Sequence, residues 1–111
     1  MNYQELLHLH QCIHDLVQHI ELYHYAIHED SKHKASYRQR IIDYVETERE
    51  RLNQLSPSTL TFYHYKYLYH LNYLADHPLD ELQAGNKSAY IVDTQRQFLS
   101  LYHQIHAVLF D

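Results

Sequence analysis

The chain has 111 residues, of which 45% are apolar and 21% charged. That is one domain, 1–111, with enough apolar matter for a core and too much for intrinsic disorder. One Gly and two Pro argue against turn-rich β architectures and glycine-rich phosphate loops. A net charge of −5 with no clustered basic stretch argues against nucleic acid as a partner.

The first element is a helix over about residues 3–29. Leu6, Leu9, Ile13, Leu16, Ile20, Tyr23 and Ile27 recur at alternating steps of three and four, which lays one apolar stripe along one side of a helix. Asn2 with Glu5 reads as a start signal, each side chain satisfying an amide that the first turn leaves open. A polar connection, Glu29 to His33, follows.

Ser36 with Gln39 repeats the start signal, and Tyr37, Ile41, Tyr44, Glu48, Leu52 and Leu55 form a second stripe. A helix over about 37–55 results, closed by Ser56-Pro57. Residues 58–76 carry two patterns at once. Tyr63, Tyr65, Tyr67, Tyr69, Leu71 and Tyr73 alternate as in a strand. Leu60, His64, Tyr67, Leu71 and Leu74 step as in a helix. The run is too long for an ordinary strand, and a lone strand among helices has no ladder partner. A third helix over about 58–76 is therefore predicted. Its second face holds Phe62, Tyr65, Tyr69 and Tyr73, to be covered by a neighbour or left as a self-association patch.

Asp76-His77-Pro78 breaks the chain. A short helical turn is predicted at 79–84, closed by Gly85-Asn86. The last helix spans about 88–110, with Ile91, Thr94, Phe98, Leu101, Ile105 and Val108 facing inward. Four long helices on short links predict an all-α, up-down-up-down antiparallel four-helix bundle. Such a bundle needs no cofactor to fold. No stretch reads as a signal peptide or approaches the ~20 apolar residues of a membrane helix, so the expectation is a cytoplasmic protein with no membrane partner.

Two residues interrupt the apolar stripes. Glu48 and His64 each lie eight residues from Ser56, on opposite sides of it, roughly 12 Å along a helix. A tight antiparallel hairpin sets them level, and a buried carboxylate needs a partner. The same level reaches His10 in the first helix and His106 in the last. The layer has three readings: a structural Glu48–His64 hydrogen bond, a metal site for zinc or iron drawing on Glu48, His64, His10 and His106, or simply solvated residues. Twelve histidines also admit a pH-responsive module, since protonating all of them swings the formal charge from −5 to +7. Cys12, the only cysteine, can form neither an internal disulfide nor a thiolate zinc site and reads as a buried structural thiol.

The chain resembles the YppE-like family through Phe62 to Leu74 (FYHYKYLYHLNYL) and Phe98 to Leu109 (FLSLYHQIHAVL), above all in the ending Leu-Tyr-x-x-x-His-Ala-Val. These are small four-helix bundles of Gram-positive Firmicutes with no established function. The resemblance implies a cytoplasmic bundle and brings no catalytic residues. With no catalytic constellation visible, the expectation is a non-enzymatic module that acts by contact with a protein partner or as a homodimer.

Overall fold

A computed structural model describes residues 3–29, 31–76 and 87–110. They form four α-helices: α1 (Tyr3–His28), α2 (Lys34–Gln54), α3 (Phe62–Asp76) and α4 (Lys87–Phe110). A 3-10 turn, Pro57–Thr59, precedes α3, and no strand occurs among the described residues. The Asn2 start signal and the expected turn at 79–84 lie outside them. None of the described helices is long and apolar enough to cross a membrane.

The apolar stripes become the core. Leu6, Leu9, Ile13, Leu16 and Ile20 of α1 are buried against Ile41, Val45 and Leu52 of α2, and against Leu71 and Leu74 of α3. Ile91, Phe98, Leu101 and Ile105 of α4 complete it. The Tyr67 and Phe98 rings meet edge to face at 6.1 Å, an arrangement that suits the quadrupoles of two rings. Helix α1 packs on α2 and α4, and α3 packs on the same two.

Two boundaries differ from the sequence expectation. Helix α2 starts at Lys34, three residues early, and Ser36 is an exposed residue within it. The turn is held instead by Ser31, whose amide bonds to the Ala26 carbonyl at 2.8 Å and whose Oγ accepts the His33 amide at 3.1 Å.

The stretch 58–76 is helical only from Phe62. The Ser56 carbonyl accepts both the Thr59 amide at 2.9 Å and its hydroxyl at 2.6 Å, closing the 3-10 turn. Leu60 then extends, with φ −82° and ψ 130°, and Thr61 caps α3. The Thr61 carbonyl accepts the amides of His64 and Tyr65. In return the His64 ring accepts the Thr61 amide at its Nδ1, 3.0 Å away. This is the return half of a capping box, with imidazole where Glu or Gln usually stands, while the Thr61 hydroxyl also meets Nδ1 at 2.9 Å.

Candidate functional site: a buried carboxylate

Glu48 is 5% exposed, near the middle of the bundle. Its position in the α2 stripe, between Val45 and Leu52, carries it inward. One turn on, Arg51 bends back along the same helix. Its Nε donates to Glu48 Oε2 at 2.8 Å, and its Nη2 approaches Oε1 at 3.4 Å. From α3, the Tyr67 hydroxyl donates to Oε1 at 2.7 Å. The two carboxylate oxygens thus take a two-pronged guanidinium and a phenol, strong acceptor geometry for a buried anion.

The network reaches α1 through Arg51. Its Nη1 stands 3.9 Å from Glu5 Oε2, and its Nη2 lies 3.8 Å from Cys12 Sγ. Beside it the Tyr44 hydroxyl donates to the Cys12 carbonyl at 2.8 Å. Three helices therefore share one polar centre inside an apolar surround.

The electrostatics follow from this arrangement. Burial alone would raise the Glu48 pKa. The hydrogen bonds from Arg51, Tyr67 and Cys12, with the Arg51 charge, overcome it and hold the carboxyl below its ordinary value. The phenol of Tyr67 is pushed far up by burial and by the Glu48 charge. The Cys12 thiol, buried and facing Glu48, is pushed up to about 12. A thiol that stays protonated at neutral pH is a poor nucleophile. Through these bonds the centre ties α1, α2 and α3 together.

The expected Glu48–His64 hydrogen bond is not formed. Both side chains are buried, His64 at 1% exposure, but they answer to different partners. The cause is the link between α2 and α3. Residues 57–61 are spent on a 3-10 turn and an extended cap, so α3 starts later than a tight hairpin would allow. That shifts His64 into the first turn of α3, where it caps. It brings Tyr67, three residues further on, level with Glu48. Because Nδ1 accepts an amide, the neutral His64 ring carries its proton on Nε2. Its pKa is lowered by burial, against a smaller opposite pull from Glu5.

The other two members of the expected layer do meet. His10 Nε2 of α1 and His106 Nδ1 of α4 are 3.3 Å apart. The His10 ring stacks on Tyr102 at 4.2 Å, and Phe110 closes edge-on at 5.6 Å. The four-residue layer is thereby divided: Glu48 is bound to Arg51 and Tyr67, His64 to Thr61, and His10 to His106. Among the described residues no three His, Cys, Asp or Glu side chains converge as a metal-ligand group.

On the aromatic face of α3, Phe62 is 67% exposed, Tyr65 54% and Tyr69 67%. Tyr73, at its far end, is half-buried. The Lys66 ammonium sits over the Phe62 ring, 5.4 Å from its centre. A shallow cavity of about 220 Å³ adjoins this face, bordered by apolar side chains such as Leu52, Leu55, Leu60 and Leu68 and by the polar Asn53, His64 and Tyr65. It does not reach Glu48.

Sequence reasoning missed Arg51 and the Tyr67 hydroxyl as partners of Glu48, and Thr61 as the partner of the neutral His64 ring. Arg51 was visible as an i,i+3 neighbour of Glu48, and Thr61-x-x-His64 has capping-box spacing. Comparison with protein-family models, with curated proteins and with solved structures finds no match.

Proposed function

We propose that the chain is a non-enzymatic contact module, an up-down-up-down antiparallel bundle whose α3 aromatic face receives a second copy of itself. The antiparallel order is supported by contacts that run in opposite senses along paired helices. Glu5 faces Arg51 while Cys12 meets Tyr44, and His10 near the start of α1 meets His106 near the end of α4. The Glu48 carboxylate, taken up by bonds from Arg51 and Tyr67, supports a role without chemistry. The YppE-like resemblance belongs to the same reading.

The observation that carries the contact role is the exposure of Phe62, Tyr65 and Tyr69 at steps of three and four along one side of α3. Tyrosine and phenylalanine are enriched at protein interfaces. No acidic residue occurs from Phe62 to Tyr73, so the net charge of −5 is not concentrated on this face and two copies can meet without opposing carboxylates. A symmetric pair places the same patch on both sides. Three rings of ~150–250 Å² each, two-thirds exposed, offer roughly 400 Å². That is about half of what a standard interface takes from each partner, so the dimer is weak.

Sedimentation equilibrium tests it. The wild type gains apparent mass above 13.5 kDa as concentration rises, and the Tyr65→Glu, Tyr69→Glu double variant stays at the monomer mass. A wild type that remains monomeric at the highest attainable concentration removes the proposal.

A further inference from the structure

We propose that His10 and His106 form a two-histidine site for a divalent transition metal ion of the zinc, nickel or copper class, at the seam of α1 and α4. The argument begins with a distance. A tetrahedral zinc holds imidazole nitrogens at about 2.0–2.1 Å, which sets two such nitrogens about 3.3–3.4 Å apart. His10 Nε2 and His106 Nδ1 stand at 3.3 Å. A pair of neutral rings can span that gap with one shared proton. A metal ion spans it using both lone pairs, and needs no change in separation.

The surroundings hold the pair in place. His10 is 9% exposed and fixed between Tyr102, stacked at 4.2 Å, and Phe110. Tyr102 also lies nearly parallel to the His106 ring, with centres 6.1 Å apart, and Phe110 approaches it at 4.7 Å. Rings held by packing lose little freedom on binding. His106 is exposed, so the site opens to solvent on one side, where water supplies the other ligands. The ligand type selects the ion: imidazole suits zinc, nickel and copper, whereas magnesium and calcium want oxygen.

The site is independent of the aromatic face of α3, and of Glu48 and His64, which have other partners. It joins the two helices that share the bundle's main seam, so an ion here clamps α1 to α4.

The test uses untagged full-length chain stripped with a chelator, then titrated with zinc, nickel or copper chloride by calorimetry, with thermal melts alongside. The expected result is one binding event and a raised Tm, both lost in His106→Ala and both kept in His14→Ala. The His103→Ala control should bind as the wild type does. Because His106 and His103 are exposed, circular dichroism should show these variants folded. No heat and no shift in Tm with any of the three ions would overturn the site. So would binding that survives His106→Ala. Binding lost in His14→Ala but kept in His106→Ala assigns the ion to the pair within α1 and overturns the assignment equally.

Discussion

Replacing Arg51 by Met should be among the most damaging single changes available in α2. The substitution keeps the length of the stem and removes the guanidinium. Glu48 is then left buried with only neutral donors, the Tyr67 hydroxyl 2.7 Å away and the Cys12 thiol. Removing one member of a buried ion pair costs about 3–5 kcal/mol, because the remaining charge has lost its compensation. Arg51 is itself 24% exposed, so water can enter where it stood, which places the expected loss near about 3 kcal/mol. The companion is the triple variant Glu48→Leu, Arg51→Met, Tyr67→Phe. It removes the charge, its counter-charge and the hydroxyl that would otherwise be orphaned, and such apolar replacement of a buried pair is often neutral or stabilising. Urea unfolding followed by circular dichroism measures both, with the slope checked for constancy. The triple variant should recover most of what Arg51→Met loses. An Arg51→Met chain within about 0.5 kcal/mol of wild type, the usual scatter for surface changes, would refute the reasoning. A triple variant as unstable as the single one would do the same.

Stability should fall on acidification. His64 and His70 both titrate below their ordinary value of 6.5, each through burial first. The fold therefore refuses protons that the unfolded chain takes up. The stability linked to each ring is whole above pH 6.5 and is lost as pH falls toward the lowered folded pKa, by up to about 1.4 kcal/mol per pH unit per histidine. The groups acting on His64 from its neighbours are Glu5 and His8 of α1 and Arg51 of α2. His64→Gln retains an acceptor for the Thr61 amide without titrating, so urea midpoints between pH 8 and 5 should slope less in that variant. Equal slopes would show that His64 is not among the sensing groups. Finally, with its thiol pushed up to about 12, Cys12 should react with a disulfide reagent in native buffer only at the rate of unfolding. Prompt modification of folded protein would contradict the buried, protonated thiol.

The helices were legible because each carries a stripe with one dominant period. In α4 the inward positions Ile91, Thr94, Phe98, Leu101 and Ile105 are buried and Val108 is half-buried, and α1 follows its stripe from Leu6 to Tyr23, with Ile27 half-buried. Even the stretch with two competing periods is helical from Phe62 on. Of its helical set, His64, Tyr67, Leu71 and Leu74 are buried and Leu60, ahead of the helix, is half-buried, while Tyr65 and Tyr69 of the alternating set stay exposed. Burial at interval three and four outweighs the strand preference of tyrosine, which is a preference for a half-buried pleated surface rather than for a backbone shape.

The polar partners were legible in kind and not in register, and the reason is geometric. That Glu48 must be compensated follows from its place between Val45 and Leu52, and it is. Which residue compensates it depends on how many residues the α2–α3 link consumes. A period reports which side of a helix a residue faces and carries no information on where the helix begins. Five residues, 57–61, are taken up by local hydrogen bonds among Ser56, Thr59, Thr61 and His64. Each is weak on its own, about 1 kcal/mol, yet together they move α3 along its own axis and exchange an imidazole for a phenol opposite the carboxylate. The same local preference takes His64 away from Glu48, because its ring is held in the first turn of α3 by the Thr61 amide. In a bundle, the chemistry of a buried layer is thus decided by the caps at its loops, several residues away from the layer itself.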